Sequence, residues 1–151
     1  MESKKFQKST GLELYKKKRW SALAFVFLLA ILLDNLFKRY AHNIFYNRAF
    51  AFSLPVPSVL IYLIYFIVVV GMIYYVLKNH HQFSFASKVA WTLIFAGAAS
   101  NIGERILLGY VRDFIYISFY KWTGVYNAAD GYIIAGIILL LFSSTKIIDK
   151  N

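Results

Sequence analysis

The sequence contains no cysteine, which excludes disulfide bonds, thiolate metal sites, a cysteine nucleophile and S-acylation of the chain itself. Proline is also scarce. The two prolines, Pro55 and Pro57, lie together at the start of one apolar segment. Acidic residues are few as well, with seven Asp and Glu against 17 Lys and Arg. The chain therefore offers only a small set of side chains for acid–base chemistry.

Apolar residues, by contrast, are abundant and come in long blocks. They make up 60% of the chain, whereas soluble domains have about 45–50%. A membrane-spanning helix needs about 20 mostly apolar residues. The blocks predict four such helices at residues 20–40, 56–77, 87–108 and 128–148, forming one domain after a basic tail at residues 1–19. We expect an all-α membrane protein whose first apolar block is retained as a helix rather than cleaved as a signal peptide.

The positions of the positive charges predict the orientation. Seven of the 17 basic residues precede residue 20, where they act as a topology signal and contact anionic headgroups. The two tails and the 78–88 loop carry eleven basic residues, and the two other connecting regions carry five. The positive-inside rule therefore predicts cytoplasmic termini. The net charge of +10 is thus explained without nucleic-acid binding.

The segment 110–120 (YVRDFIYISFY) lies between the third and fourth predicted helices. Its alternating aromatic and β-branched residues predict a short strand or an interfacial ribbon on the extracytoplasmic side. Arg112 adjoins Asp113 there, but side chains alternate in an extended segment. Arg112 should therefore point away from Asp113.

Only four acidic residues lie outside the tails: Asp34, Glu104, Asp113 and Asp130. Charges at membrane depth are costly, so each one calls for a reason. All four fall toward the extracytoplasmic ends of predicted helices or in the loop on that side. Asp34 and Lys38 are spaced i, i+4 on one helix face, which favours a salt bridge.

Asn101, Glu104 and Arg105 also share one helix face, because they are spaced i, i+3, i+4. Glu104 is expected to pair with a neighbouring arginine, so that Asn101 and Arg105 project hydrogen-bond donors into the bundle. Interhelical hydrogen bonding and substrate binding are both open interpretations of this pattern.

Asp113 and Asp130 have no obvious cation on a helix face of their own. Asp130 suits an N-cap of the fourth helix, and Asp113 suits a solvated loop. Alternatively, the two carboxyl groups meet. They would then share a proton, activate a water for attack on a peptide carbonyl and protonate the leaving amine.

Five ordered motifs resemble the signal peptidase II family, the bacterial lipoprotein signal peptidases. Residues 101–136 contain N-I-G-E-R, G-Y-V-R-D-F and Y-N-A-A-D, similar to the family's N-x-x-D-R, G-x-V-x-D-F and F-N-x-A-D. Upstream, Asp34 and Lys38 resemble its D-x-x-x-K, and N-R-A-F-A-F-S at residues 47–53 resembles its N-x-G-A-A-F-G/S. Order, spacing and helix count match from about residue 20 onward.

The resemblance implies an aspartic endopeptidase of the bacterial inner membrane. It would remove signal peptides from diacylglyceryl-modified prolipoproteins by cleaving before the lipidated cysteine, toward the extracytoplasmic side. Membrane lipids are then expected partners, the chain is expected to be a monomer, and no metal or organic cofactor is expected. The family roles carry over to the following residues: Asp113 and Asp130 as catalytic; Asn47, Asn101 and Arg105 as substrate-binding; Asp34, Lys38, Glu104 and Asn127 as supporting.

Three departures from the family pattern stand out. Glu104 replaces an aspartate, Ala49 and Phe50 replace a smaller pair, and Tyr126 replaces a phenylalanine. The first two are expected to flank the substrate site.

Two other functions fit parts of the sequence. An aspartic intramembrane peptidase with other substrates would cleave without a diacylglyceryl-cysteine. A small proton-coupled transporter would use buried carboxylates as a relay, but it leaves the five motifs unexplained as a set.

Overall fold

The computed structural model describes residues 2–48 and 57–148, and within those ranges the protein is mostly helical. The helices are α1 (Glu2–Tyr40), α2 (Ser58–Asn79), α3 (Phe85–Leu108) and α4 (Ala128–Ile148). The strands are β1 (Phe45–Asn47), β2 (Val111–Asp113), β3 (Ile115–Phe119) and β4 (Trp122–Tyr126).

The helix boundaries agree with the expected ones to within two residues, except at the N-terminus. There α1 already begins at Glu2 rather than near residue 20, so the described part of the basic tail is helical. Lysine, glutamate and glutamine are good helix formers, so charge alone does not interrupt a helix. Residue 56, the expected first residue of the second helix, lies outside the described residues.

The strands form two small antiparallel sheets. β1 pairs with β2, with Phe45 opposite Asp113 and Asn47 opposite Val111. β3 pairs with β4 as a hairpin whose turn includes Tyr120 at a φ of 55°. These pairings confirm that the segment 110–120 is largely extended.

Helix α3 packs most extensively against α4 and then against α1. Ala90 and Ala96 on α3 are fully buried, and the approach to α4 is close. A Cβ added to Gly136 would lie 2.6 Å from Ile94 Cγ1 and 2.7 Å from the Ala90 carbonyl oxygen. Small residues therefore set the α3–α4 spacing.

Among the described residues, two helices are long and apolar enough to cross a membrane, Lys17–Tyr40 and Val59–Asn79. A shorter apolar stretch, Ala128–Ser143, lies in α4. Large apolar side chains such as Phe25, Leu28 and Phe66 are exposed on α1 and α2, as expected of helices that face lipid. That α3 and α4 also cross the membrane stays a prediction.

Candidate active site

The first turn of α4 carries Asp130 in a reciprocal pair of hydrogen bonds with Asn127. The Asp130 backbone N–H donates to Asn127 Oδ1 at 3.0 Å, and the Asn127 backbone N–H donates to Asp130 Oδ2 at 3.0 Å. This is a capping box, which satisfies two backbone donors at a helix N-terminus. Asn127 immediately precedes α4, so Asp130 lies in the first turn and the N-cap interpretation of Asp130 is wrong.

A third backbone donor of the same turn is satisfied from α1. Asp34 Oδ1 accepts a hydrogen bond from the Ala129 N–H at 3.0 Å. Asp34 and Ala129 are both fully buried. Because the N-terminus of a helix carries a partial positive charge, it favours carboxylates beside it. The Asp34 carboxylate therefore fixes the end of α4 that bears Asp130.

Asp113, the last residue of β2, is held by two side-chain amides. Asn47 Nδ2 donates to Asp113 Oδ2 at 3.0 Å, and Asn127 Nδ2 donates to Asp113 Oδ1 at 2.7 Å. The residue is 2% exposed, which excludes the solvated-loop interpretation. Burial raises the pKa of the Asp113 carboxyl above its ordinary value, the two amides oppose this shift, and the nearby Asp130 charge adds to it.

Asn127 thus joins the two candidate aspartates. It reaches Asp113 through its side chain and Asp130 through its backbone N–H. The other two carboxylate oxygens accept hydrogen bonds from side-chain amides, Asp113 Oδ2 from Asn47 and Asp130 Oδ1 from Asn101. Each carboxylate oxygen thus accepts one hydrogen bond and keeps acceptor capacity for water or substrate. Within residues 2–48 and 57–148, neither Asp113 nor Asp130 forms a salt bridge.

Both aspartates line one cavity of about 600 Å³ between the strands and the helix ends. Its polar wall includes the three predicted substrate-binding residues, Asn47, Asn101 and Arg105. It also includes Asn127, which was predicted to be a supporting residue. Its apolar wall includes Phe45, Val111, Val125, Ile133 and Ile134.

Asn101 connects the two aspartates, Asp113 and Asp130 (the dyad), to the interior of the bundle. Its Nδ2 donates to Asp130 Oδ1 at 2.7 Å, while its Oδ1 accepts from Asn127 Nδ2 at 3.0 Å and from Lys38 Nζ at 3.3 Å. Asn101 therefore orients Asp130, a contact that the sequence interpretation did not include.

Behind Asn101 lies a chain of alternating charges. Lys38 Nζ lies 2.8 Å from Asp34 Oδ2 and 2.8 Å from Glu104 Oε2, and both Lys38 and Asp34 are fully buried. Glu104 in turn pairs with the Arg112 guanidinium. Opposite charges alternate along the chain, which is the arrangement that makes buried charges tolerable. The predicted Asp34–Lys38 pair and the predicted pairing of Glu104 with an arginine are both confirmed.

Arg105 lies near the cavity wall and is 6% exposed. Its guanidinium Nη1 donates to the Arg48 carbonyl oxygen at 3.5 Å, and its own carbonyl oxygen accepts from the Tyr62 hydroxyl at 3.2 Å. Arg105 thus places a cation beside Arg48, the residue that follows β1.

Several expectations need adjustment. Glu104 is not among the residues that line the cavity; it contacts Lys38 and Arg112 instead. That it flanks a substrate site stays a prediction. Ala49 and Phe50 lie outside the described residues. Sequence reasoning also missed Ser100, whose hydroxyl donates to Asp34 Oδ2 at 2.5 Å. No local spacing in the sequence indicates this contact, because the two residues are 66 positions apart.

A second, apolar cavity of about 1080 Å³ lies between α1, α2 and α3. Phe27, Phe66, Val70 and Phe95 are among its lining residues. Tyr65 lines both cavities, so the apolar space adjoins the polar one. Among the described residues, no group of three or more His, Asp or Glu is placed to hold a metal ion.

Known proteins resemble this chain in both sequence and fold. A lipoprotein signal peptidase of Streptococcus pneumoniae is 36% identical over 101 residues, which are 66% of this chain and 65% of the relative. One from Fusobacterium nucleatum is 33% identical over 96 residues, 63% of this chain and 58% of the relative. The matched segment thus spans less than two thirds of either relative.

The fold is similar to that of a bacterial membrane enzyme solved by the in meso method. The TM-score is 0.70 at 21% identity, over 87% of this chain and 92% of that one. The family model described as signal peptidase (SPase) II matches residues 42–146, which include all four strands, α2, α3 and most of α4. The chain therefore belongs to the signal peptidase II family.

Proposed function

We propose that this protein is an intramembrane aspartic endopeptidase that removes signal peptides from diacylglyceryl-modified prolipoproteins, cleaving before the lipidated cysteine. Family membership supports the substrate class. One structural observation supports the aspartic mechanism: Asp113 and Asp130 line one cavity and are both hydrogen-bonded to Asn127.

In the proposed mechanism the two carboxyl groups share one proton, because neighbouring carboxylates do not ionise together readily. The ionised carboxylate takes a proton from a water held between them, and the water attacks the scissile carbonyl carbon. The protonated carboxyl group donates to the carbonyl oxygen, and a proton then passes to the leaving amine as the C–N bond breaks. The pair titrates as a unit.

Asn47, Asn101 and Arg105 are proposed to hold the substrate backbone. All three line the cavity with the aspartates. An amide NH₂ group carries two hydrogens, and Asn101 gives one to Asp130. The other hydrogen suits a peptide carbonyl of the substrate.

The adjoining apolar cavity is the proposed site for the lipid and signal-peptide portions of the substrate. It contacts the polar cavity at Tyr65 and is walled by apolar side chains of α1, α2 and α3. These walls are as apolar as the lipid tails of a bilayer, so an acyl chain can move from the membrane into this space without exposing apolar surface to water. An acyl chain bound there would leave its cysteine near the dyad.

We further propose that all four helices cross the bacterial cytoplasmic membrane, with both termini cytoplasmic and the site toward the opposite side. The two long apolar helices and the distribution of Lys and Arg support this arrangement. The chain is proposed to act as a monomer, since both aspartates and their amide partners come from one copy.

The test is cleavage of a diacylglyceryl-modified prolipoprotein peptide in liposomes. Wild type, Asp113→Asn and Asp130→Asn would be assayed beside the same peptide without lipid. We expect only wild type to cleave, and only the lipidated peptide. Cleavage of both peptides would instead support a peptidase with broader substrates. If folded wild type cleaves neither peptide, or if either Asn variant retains activity, the proposal is wrong.

A further inference from the structure

Glu104 binds the chain segment that carries Asp113. Its Oε1 pairs with Arg112 Nε, and its Oε2 accepts the Arg112 backbone N–H at 3.2 Å. The same Oε2 lies 2.8 Å from Lys38 Nζ on α1. One buried carboxylate of α3 therefore ties β2 to α1, and we refer to the Glu104–Arg112 contact as the clasp.

The backbone is also held on the other side of Asp113. The Phe114 N–H donates to the Tyr126 carbonyl oxygen at 2.8 Å, and Tyr126 directly precedes Asn127. The two peptide N–H groups that flank Asp113 along the chain, those of Arg112 and Phe114, are therefore both engaged by other elements. This fixes the backbone position from which the Asp113 carboxylate projects.

Neither Glu104 nor Arg112 is among the residues that line the 600 Å³ cavity. Side chains alternate along a strand, so Arg112 points away from the cavity that its neighbour Asp113 faces. Glu104 has a side chain that is 7% exposed, whereas that of Arg112 is 25% exposed. An effect of Arg112 on the reaction must therefore be indirect, and its shortest route is the backbone of the neighbouring Asp113.

We propose that Arg112 is a positioning residue for the reaction, acting through its clasp with Glu104 on the placement of the Asp113 carboxylate. This inference rests on the proposed function. Charge-assisted hydrogen bonds of this kind are stronger than neutral ones, and the guanidinium fork holds a carboxylate in a defined geometry. The glutamate at position 104, which departs from the family's aspartate, reaches Lys38 and Arg112 together.

The kinetic test compares Arg112→Met with Lys121→Met, which removes a positive charge from the exposed β3–β4 turn. Small displacements of a reacting group cost large factors in rate, so we expect kcat to fall about tenfold or more in Arg112→Met. KM should stay within about twofold, since a residue outside the cavity contributes little to substrate binding. Arg112→Lys should recover part of the loss because it restores the charge.

A double-mutant cycle with Glu104→Gln tests whether the two residues act as a unit. Adding Arg112→Met to Glu104→Gln should then lower kcat by less than about twofold further. If the losses in kcat of the two single variants add fully in the double variant, the clasp is not the route of the effect. The same conclusion follows if Arg112→Met changes KM and not kcat.

Amide hydrogen exchange gives a measurement that is independent of both activity and the Glu104 variant. In Arg112→Met, exchange at residues 111–113 should accelerate about tenfold relative to wild type, while α3 remains protected. Suppose that wild type cleaves and that Asp113→Asn and Asp130→Asn do not. If Arg112→Met then has the same exchange rates and the same kcat as Lys121→Met, the clasp is wrong and the proposed function stands. If wild type does not cleave, the proposed function fails, and the exchange rates still decide the clasp.

Discussion

The Asn127 side-chain amide donates to Asp113 Oδ1 at 2.7 Å, while the Asn127 backbone N–H holds Asp130. A single residue, 1% exposed, thus sets the relative placement of two carboxylates that come from a strand and a helix. The geometry of the pair depends on one side chain that is itself neither acid nor base.

The first prediction follows from that dependence. Asn127→Ala should lower kcat by about a hundredfold, because the two carboxylates lose their common anchor. The N-cap loss should destabilise the protein by only about 1 kcal/mol. Peptide cleavage and thermal unfolding, both measured in detergent, separate these effects. Asn35→Ala, at an exposed position of α1 outside the cavity, is the control and should retain activity.

The second prediction concerns pH. The Asn47 amide donates to the Asp113 carboxyl group, which favours its ionised form and so lowers the pKa of Asp113 against the effect of burial. Asn47→Ala should therefore raise the pKa of Asp113. The acid limb of the kcat/KM profile, where the ionised carboxylate is lost, should then move to higher pH. A limb that stays in place or moves to lower pH would contradict this assignment.

The third prediction concerns the buried charge chain. Lys38→Met removes the cation shared by Asp34 and Glu104, all three of which are buried. Leaving buried charges without a partner costs about 3–5 kcal/mol, so the melting temperature should fall markedly. Arg39→Met, at the exposed neighbouring position, should leave it nearly unchanged. Equal melting temperatures for the two variants would mean that the buried ion pairs of Lys38 contribute little to stability.

The fourth prediction concerns the contact of α3 with α4. A Cβ at Gly97 would clash with the Ala129 carbonyl oxygen, whereas one at Gly71 would meet nothing within 4 Å. Gly97→Ala should therefore destabilise the protein by about 1–3 kcal/mol. Gly71→Ala should be neutral or slightly stabilising, since alanine favours helix. Denaturant unfolding of the two variants makes the comparison, and a stable Gly97→Ala would show that the helices can separate locally.

Local patterns in the sequence predicted local structure well. The i, i+4 spacing of Asp34 and Lys38 predicted their salt bridge, and the alternation of 110–120 predicted that Arg112 and Asp113 face opposite ways. In each case one helix turn or one strand determines the outcome, so no knowledge of the tertiary packing was needed.

Contacts between distant elements were not predictable in the same way. Nothing in the sequence indicates that Asp34 caps the first turn of α4, 95 residues later. The sequence predicted that Glu104 pairs with an arginine, but which arginine it is depends on how β2 lies beside α3. The capping box was missed for a different reason: the NAAD pattern fits either Asn127 or Asp130 as the cap, and only the start of α4 decides between them.

The contact of Asp34 with Ala129 also bears on how the protein is made. Sequence-distant contacts form late, because closing a long loop costs entropy before the contact is gained. The Asp34 carboxylate of α1 can hold the turn that bears Asp130 only after α4 has been synthesised. A nascent chain that stops after α3 lacks that turn, so the candidate site is complete only once α4 has been made.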